Sequence, residues 1–267
     1  MHTAAVILMI LAGLCCCAAA VLRWSLLARH HDDRGHPSPA ANIFLWLGIG
    51  LLTGSVVAGL IDGQHLRFLY GAVAAWSALA SLIFLTGFLA MPTPTLLTLP
   101  VGGMALLVAL LAGLEQPDRS LADELSWITA LHVLFVSAFS ATLLISAAAG
   151  GLYLIAARQL KAGTTRSLRL PSLALLQQVT YIGLVIAVAL LIGGVSTGGA
   201  AMRLRGDFVL LSPVPVLTLV DLGLLTALLA WHITRGLGGR GLATASLAMT
   251  SLLALTVIAL FLDRSHG

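Results

Sequence analysis

The chain has 267 residues, of which 59% are hydrophobic and only 9% are charged. Because a soluble globular domain carries roughly 25% charged residues, this composition excludes a soluble protein and a soluble enzyme. The formal net charge of +4 does not indicate a nucleic-acid partner, since the basic residues lie in short loops between long apolar runs. The distribution instead predicts a protein embedded in the lipid bilayer.

The apolar runs define the fold class. A spanning helix needs about 20 mostly apolar residues, and the runs lack the alternation of a membrane β-barrel. We therefore predict an all-α, polytopic membrane protein with about eight transmembrane helices in a single integral membrane domain, residues 1–267. The predicted spans are 3–27, 42–61, 66–90, 96–114, 127–160, 171–192, 215–234 and 242–262. The glycine-rich stretch 193–199 is expected to end the sixth helix and to allow close packing.

The Lys and Arg residues predict the orientation, because cytoplasmic loops are enriched in both. Placing the first, third, fifth and seventh loops inside assigns nine of the fourteen Lys and Arg residues to that side. The fifth loop decides the assignment, since it carries four basic residues and no acid, whereas the fourth loop carries four acids and one Arg. Both termini are then outside. The short inner loops favour a multi-pass protein of a bacterial inner membrane.

Two histidines are predicted on the same outer side of the membrane. His132 lies near the outer end of the fifth helix, and His266 lies just past the outer end of the eighth. Neutral imidazole is a good iron ligand, so two such residues could bind one haem iron from opposite faces. The alternative is that both are ordinary interfacial histidines.

Two further ionisable residues lie within the seventh span. His232 is near its inner end, where it could be functional or could extend its ring toward the membrane surface. Asp221 lies deeper, and a carboxyl group at that depth has to be protonated or paired. A proton-relay role for Asp221 is therefore a second hypothesis.

Three common kinds of metal-binding or catalytic motif are absent from the sequence, although a membrane enzyme is not excluded. There is no metal-type Cys/His spacing, no phosphate-binding glycine loop and no serine nucleophile elbow, so no reaction is predicted. The three consecutive cysteines 15–17 lie inside the first span and are interpreted as packing residues rather than as a disulfide or a lipoprotein site.

Four short motifs resemble the cytochrome c assembly family, which includes CcsA-type haem-handling proteins and HemX/YpjD-like inner-membrane proteins. Residues 131–133 (LHV) resemble the family's MHV helix, and residues 170–173 (LPSL), followed by Tyr181, resemble its LPSLE…SYR entry to the next helix. Residues 231–235 (WHITR) are similar to its LHTR motif, and residues 265–267 (SHG) to its LHSYG motif. The order and spacing of these motifs also agree with the family.

The resemblance covers mainly residues 123–267, while residues 1–122 form a variable four-helix half. It implies a haem-binding protein of cytochrome c assembly, with haem b as cofactor. His132 and His266 would be the outer axial ligands of the iron, and His232 would belong to a haem site within the membrane. The implied partners are haem, other cytochrome c biogenesis proteins and apocytochrome c, with no nucleic acid.

One family motif is missing. CcsA-type proteins carry a tryptophan-rich outer loop, WGxxWxWDPKE, and in the corresponding residues 203–215 of this chain only Pro215 matches it. The loss of the tryptophans favours the HemX/YpjD-like branch over a protein that transfers haem to apocytochrome. The alternative function is a non-haem transporter, or a regulatory partner of another membrane complex, in which Asp221 would be central.

Overall fold

The computed structural model of the chain describes residues 2–29, 39–61, 66–89, 98–113, 127–162, 171–205 and 213–262. Within these ranges the backbone is almost entirely helical, which confirms the all-α prediction. Each of the eight predicted spans corresponds to a helix. The helices are α1 (His2–Arg29), α2 (Pro39–Ile61), α3 (Leu66–Leu89), α4 (Thr98–Gly113), α5 (Trp127–Lys161), α6 (Leu173–Arg205), α7 (Pro213–Arg235) and α8 (Gly239–Leu262).

Six of the described helices, α1, α2, α5, α6, α7 and α8, are long and apolar enough to cross a membrane. The apolar segments described for α3 and α4 are shorter, namely Gly71–Ala80 and Thr98–Ala112. Large apolar side chains also lie on the outside of the bundle, including Ile43 (65% exposed), Leu110 (64%) and Ile233 (72%). A water-facing surface rarely carries so many, so the surface fits a lipid environment.

The predicted end of the sixth helix is wrong, because α6 continues through the glycine-rich stretch to Arg205. Gly193 packs against Phe135 of α5, and Gly194 packs against Val136. These glycines let the two backbones approach closely, as small residues do in membrane helix pairs. In an apolar environment the intrahelical hydrogen bonds also have no water to replace them, so glycine ends a helix less readily than in water.

Two helix ends follow ordinary capping chemistry. The hydroxyl oxygen of Ser172 accepts a hydrogen bond of 3.2 Å from the backbone N–H of Leu175, so Ser172 is the N-cap of α6. At the end of α7, Gly236 has a positive φ of 67° and its N–H donates to the carbonyl of His232. This left-handed residue ends α7 and lets the chain turn into α8.

Packing is most extensive between α5 and α6 and between α1 and α2. Helix α1 also packs against α4, while α5 contacts α3 and α8, so α5 links the first four helices to the last three. The central part of α5 is almost continuously buried. Cys16 is fully buried in the core, and Gly102 of α4 lies against the Cys17 side chain, in agreement with a packing role.

Candidate functional site

His132 lies in the second turn of α5, where this helix packs against α6. Its Nδ1 atom is 2.8 Å from the backbone carbonyl oxygen of Gly194. A carbonyl oxygen only accepts hydrogen bonds, so Nδ1 carries the proton and donates it. In the neutral ring, Nε2 then keeps its lone pair and is the nitrogen able to bind a metal. A hydrogen bond from the second ring nitrogen to a carbonyl is the usual way in which a metal-bound imidazole is oriented.

The glycine surface of α6 provides the space for the His132 ring. A Cβ atom at Gly198 would lie 2.8 Å from His132 Cε1 and 3.0 Å from Nδ1, closer than side-chain contacts normally allow. The neighbouring Gly199 faces open space. The half-buried imidazole of His132 is therefore held by the hydrogen bond to Gly194 and by packing against Gly198, which has no side chain.

Helices α5 and α8 run antiparallel. Tyr153, late in α5, contacts Gly239 at the start of α8. Earlier in α5, the carbonyl oxygen of Leu143 lies 3.5 Å from Oγ1 of Thr250, which is farther along α8. The C-terminal end of α8 is therefore near the N-terminal end of α5, where His132 lies.

The predicted second ligand, His266, lies outside the described residues, which end at Leu262. The position of that helix end can still be compared with His132. At 1.5 Å per residue, His132 is about 16 Å along α5 from Leu143, and Leu262 is about 18 Å along α8 from Thr250, in the same direction. The last described residue of α8 is thus at nearly the level of His132.

His232 lies one turn before the end of α7 and packs against Tyr181 of α6. The two ring centroids are 4.9 Å apart and the rings are tilted by 46°. The Nδ1 atom of His232 is buried and has no hydrogen-bond partner among the described residues. Since protein atoms enclose Nδ1, an iron ion could reach this imidazole without local movement only through Nε2.

The structure does not bring His132 and His232 together. His132 contacts Gly194, whereas His232 contacts Tyr181, and both partners lie in α6. The two partners are separated by about 20 Å along the helix axis, at 1.5 Å per residue. The two histidines therefore lie toward opposite ends of the bundle.

Asp221 is 1% exposed and lies between α7 and α8. One carboxyl oxygen, Oδ2, is 3.2 Å from the hydroxyl of Thr256 in α8. The other, Oδ1, is buried without a hydrogen-bond partner among the described residues. Sequence reasoning identified Asp221 but not Thr256, because nothing in a single sequence reports which residue of α8 faces it.

The described part of the chain contains no group of three or more His, Cys, Asp or Glu side chains that could hold a metal ion. A haem iron held by two imidazoles does not require such a group.

Comparison with models of protein families, with curated proteins and with solved structures finds no match to the chain.

Proposed function

We propose that this chain is a haem-binding membrane protein that handles haem in cytochrome c assembly, and that His132 would hold the iron of a haem b. The observation that supports this most directly is the hydrogen bond from His132 Nδ1 to the Gly194 carbonyl. That bond fixes the tautomer and the ring plane, and it leaves Nε2 as the metal-binding nitrogen.

His266 is proposed as the second residue that would hold the haem iron. It follows the end of α8 by four residues, and that end is at nearly the level of His132. Four residues of extended chain can reach about 13 Å, which allows the imidazole to approach the same iron. When bound, the haem would supply a redox-active iron. The protein's part would be to bind it, orient it and limit access of water.

Arg203 is proposed to contact the haem propionates at the same end of the bundle. Arg203 is an exposed residue of α6, nine residues beyond Gly194. A guanidinium group forms strong charge-assisted hydrogen bonds with carboxylates. His232 is proposed to belong to a second haem position near the other end of the bundle, where Tyr181 holds its ring.

The proposed membrane arrangement has eight crossings with both termini outside, in a bacterial inner membrane. Six apolar helices of sufficient length support an integral membrane protein. Arg158 and Lys161, in the last turn of α5, support an inner position for the loop that follows. Other cytochrome c biogenesis proteins or apocytochrome c are the proposed partners.

The test is an absorption spectrum of the detergent-purified protein, oxidised and reduced, beside the His132→Ala and His266→Ala variants. A low-spin spectrum with sharp reduced bands in the wild type, lost or converted to high spin in both variants, is expected. No haem in a wild-type protein expressed with ample haem would contradict the proposal and favour the transporter or regulatory alternative. Ser251→Ala, an exposed substitution on α8 outside both proposed haem positions, is the control variant and should leave this spectrum unchanged.

A further inference from the structure

Within the described helices, Asp221 is the only acidic residue. The other nine acidic residues of the chain lie in segments between or beyond these helices. Helix α7 is in contact with the rest of the protein along a narrow stripe. Its buried residues are Asp221, Leu225 and Leu229, spaced four apart so that they share one face. Asp221 therefore places a carboxyl group in a buried stripe whose two other members are leucines.

The hydrogen bonds around Asp221 depend on its protonation state. The hydroxyl oxygen of Thr256 is 3.2 Å from Asp221 Oδ2 and 3.1 Å from the carbonyl oxygen of Leu252. Thr256 has one hydroxyl hydrogen, so it donates to one of these oxygens at a time. If Thr256 donates its hydrogen to the Leu252 carbonyl, the 3.2 Å contact between Thr256 and Asp221 is a hydrogen bond only when Asp221 is protonated. The carboxylic acid then donates its proton to the hydroxyl oxygen of Thr256.

An ionised Asp221 would be poorly compensated. It would receive one hydrogen bond, from Thr256, while Oδ1 would have no partner among the described residues. An isolated charge in an apolar environment is far more costly than a neutral carboxylic acid.

No charged residue in the described helices packed against α7 has a position along its helix near the level of Asp221. Apart from Asp221 itself, the charged or titratable residues of α6, α7 and α8 are about three helical turns or more from its level along the helix axes. They are Tyr181, Arg203, Arg205, His232, Arg235 and Arg240. Asp221 itself is about 12 Å along α7 from its first residue, so it is well inside the span. A proton is therefore the simplest ligand that removes the charge.

We propose that Asp221 is a proton-binding site between α7 and α8, where it holds one proton as a neutral carboxylic acid that donates to Thr256. Release of the proton leaves a carboxylate. The Thr256 hydroxyl then turns away from the Leu252 carbonyl and donates its hydrogen to this carboxylate. This site is separate from the proposed haem ligands and would exist whether or not the protein binds haem.

The first test is labelling with dicyclohexylcarbodiimide, an apolar reagent that reacts with protonated carboxyl groups. The carboxyl oxygen bonds to the central carbon of the carbodiimide and the acid proton moves to a nitrogen. Where water is excluded, the acyl group then migrates to nitrogen and gives a stable N-acylurea, whose mass is the sum of the two reactants.

Mass spectrometry of wild-type protein in lipid vesicles is expected to find this adduct on Asp221 and not on the loop acids. Labelling should fall as pH rises, because the reactive form is the protonated one. An adduct at Asp221 whose yield does not fall as pH rises would overturn the proposal. Asp221→Asn, which has nearly the same shape, should abolish the labelling.

Infrared spectroscopy gives a second measurement that does not depend on reagent access. A carboxylic acid C=O band should be present in the wild type, absent in Asp221→Asn, and shifted to higher frequency in Thr256→Val, which loses the hydrogen-bond partner. Ser251→Ala, an exposed substitution on α8, should leave the band in place. A carboxylate band at Asp221 in place of the acid band at neutral pH would overturn the proposal.

Discussion

The Nδ1 atom of His132 lies 2.8 Å from the backbone carbonyl oxygen of Gly194, and this contact joins α5 to α6. The bond has two consequences. It satisfies a polar nitrogen inside a helix interface, and it directs the unprotonated Nε2 away from Gly194. The same geometry stabilises the contact between α5 and α6 and is compatible with the proposed iron ligation.

A methyl group at Gly198 should displace the His132 ring. In Gly198→Ala the new Cβ would meet His132 Cε1 at 2.8 Å, so the ring has to move. We expect weaker haem binding and an altered spin state, measured from the absorption spectrum of purified protein. Gly199→Ala is the matched control, because that position faces open space. Equal spectra for the two variants would show that the glycine surface does not position the ligand.

A second glycine pair tests helix packing without involving the histidines. Gly150 of α5 lies against α8, and a Cβ there would be 3.0 Å from the backbone oxygen of Ala243, whereas Gly151 faces open space. Backbone atoms cannot rotate away, so Gly150→Ala should destabilise the fold by about 1–3 kcal/mol.

Gly151→Ala should change the stability by less than about 1 kcal/mol. The measurement is unfolding in mixed micelles with increasing sodium dodecyl sulfate, followed by circular dichroism. Equal unfolding free energies of the Gly150→Ala and Gly151→Ala variants would contradict the close contact between α5 and α8 at Gly150.

A buried hydroxyl joins α2 to α1. Ser55 is fully buried and donates a hydrogen bond of 2.9 Å to the carbonyl oxygen of Ala5. Ser55→Ala should cost about 0.5–1.5 kcal/mol of unfolding free energy, as interhelical hydrogen bonds in membranes do. Ser251→Ala is the control, since this exposed hydroxyl bonds within its own helix. An equal effect of both substitutions would argue against the α1–α2 contact.

The orientation in the membrane is tested by fusions to alkaline phosphatase, which is active only outside the cytoplasm. A fusion after Ala162, which follows α5, should be inactive, and a fusion after Gly267 should be active. The reverse pattern would contradict the proposed topology. Fusions to green fluorescent protein at the same two positions are the matched control and should give the opposite result.

The helices were predictable because their main determinant, a long apolar run, is local in the sequence. The C-terminal end of α6 was not predictable, because the effect of Gly193 and Gly194 on helix stability depends on whether another helix packs against them. The contact between Asp221 and Thr256 joins residues on separate helices, and its register is set by tertiary packing. The pairing of His232 with Tyr181 has the same origin. The position of His132 within its helix could be read from the sequence, but its hydrogen-bond partner could not.

The most direct test of the proposed iron ligation is rescue of His132→Gly by free imidazole, followed in the absorption spectrum of haem-loaded protein. Removal of the side chain should convert the low-spin spectrum to a high-spin or haem-free one, and added imidazole should restore the low-spin spectrum by occupying the vacated position beside Gly194 and Gly198. A His132→Gly protein that keeps the wild-type spectrum without imidazole would contradict the assignment of His132 as an iron ligand.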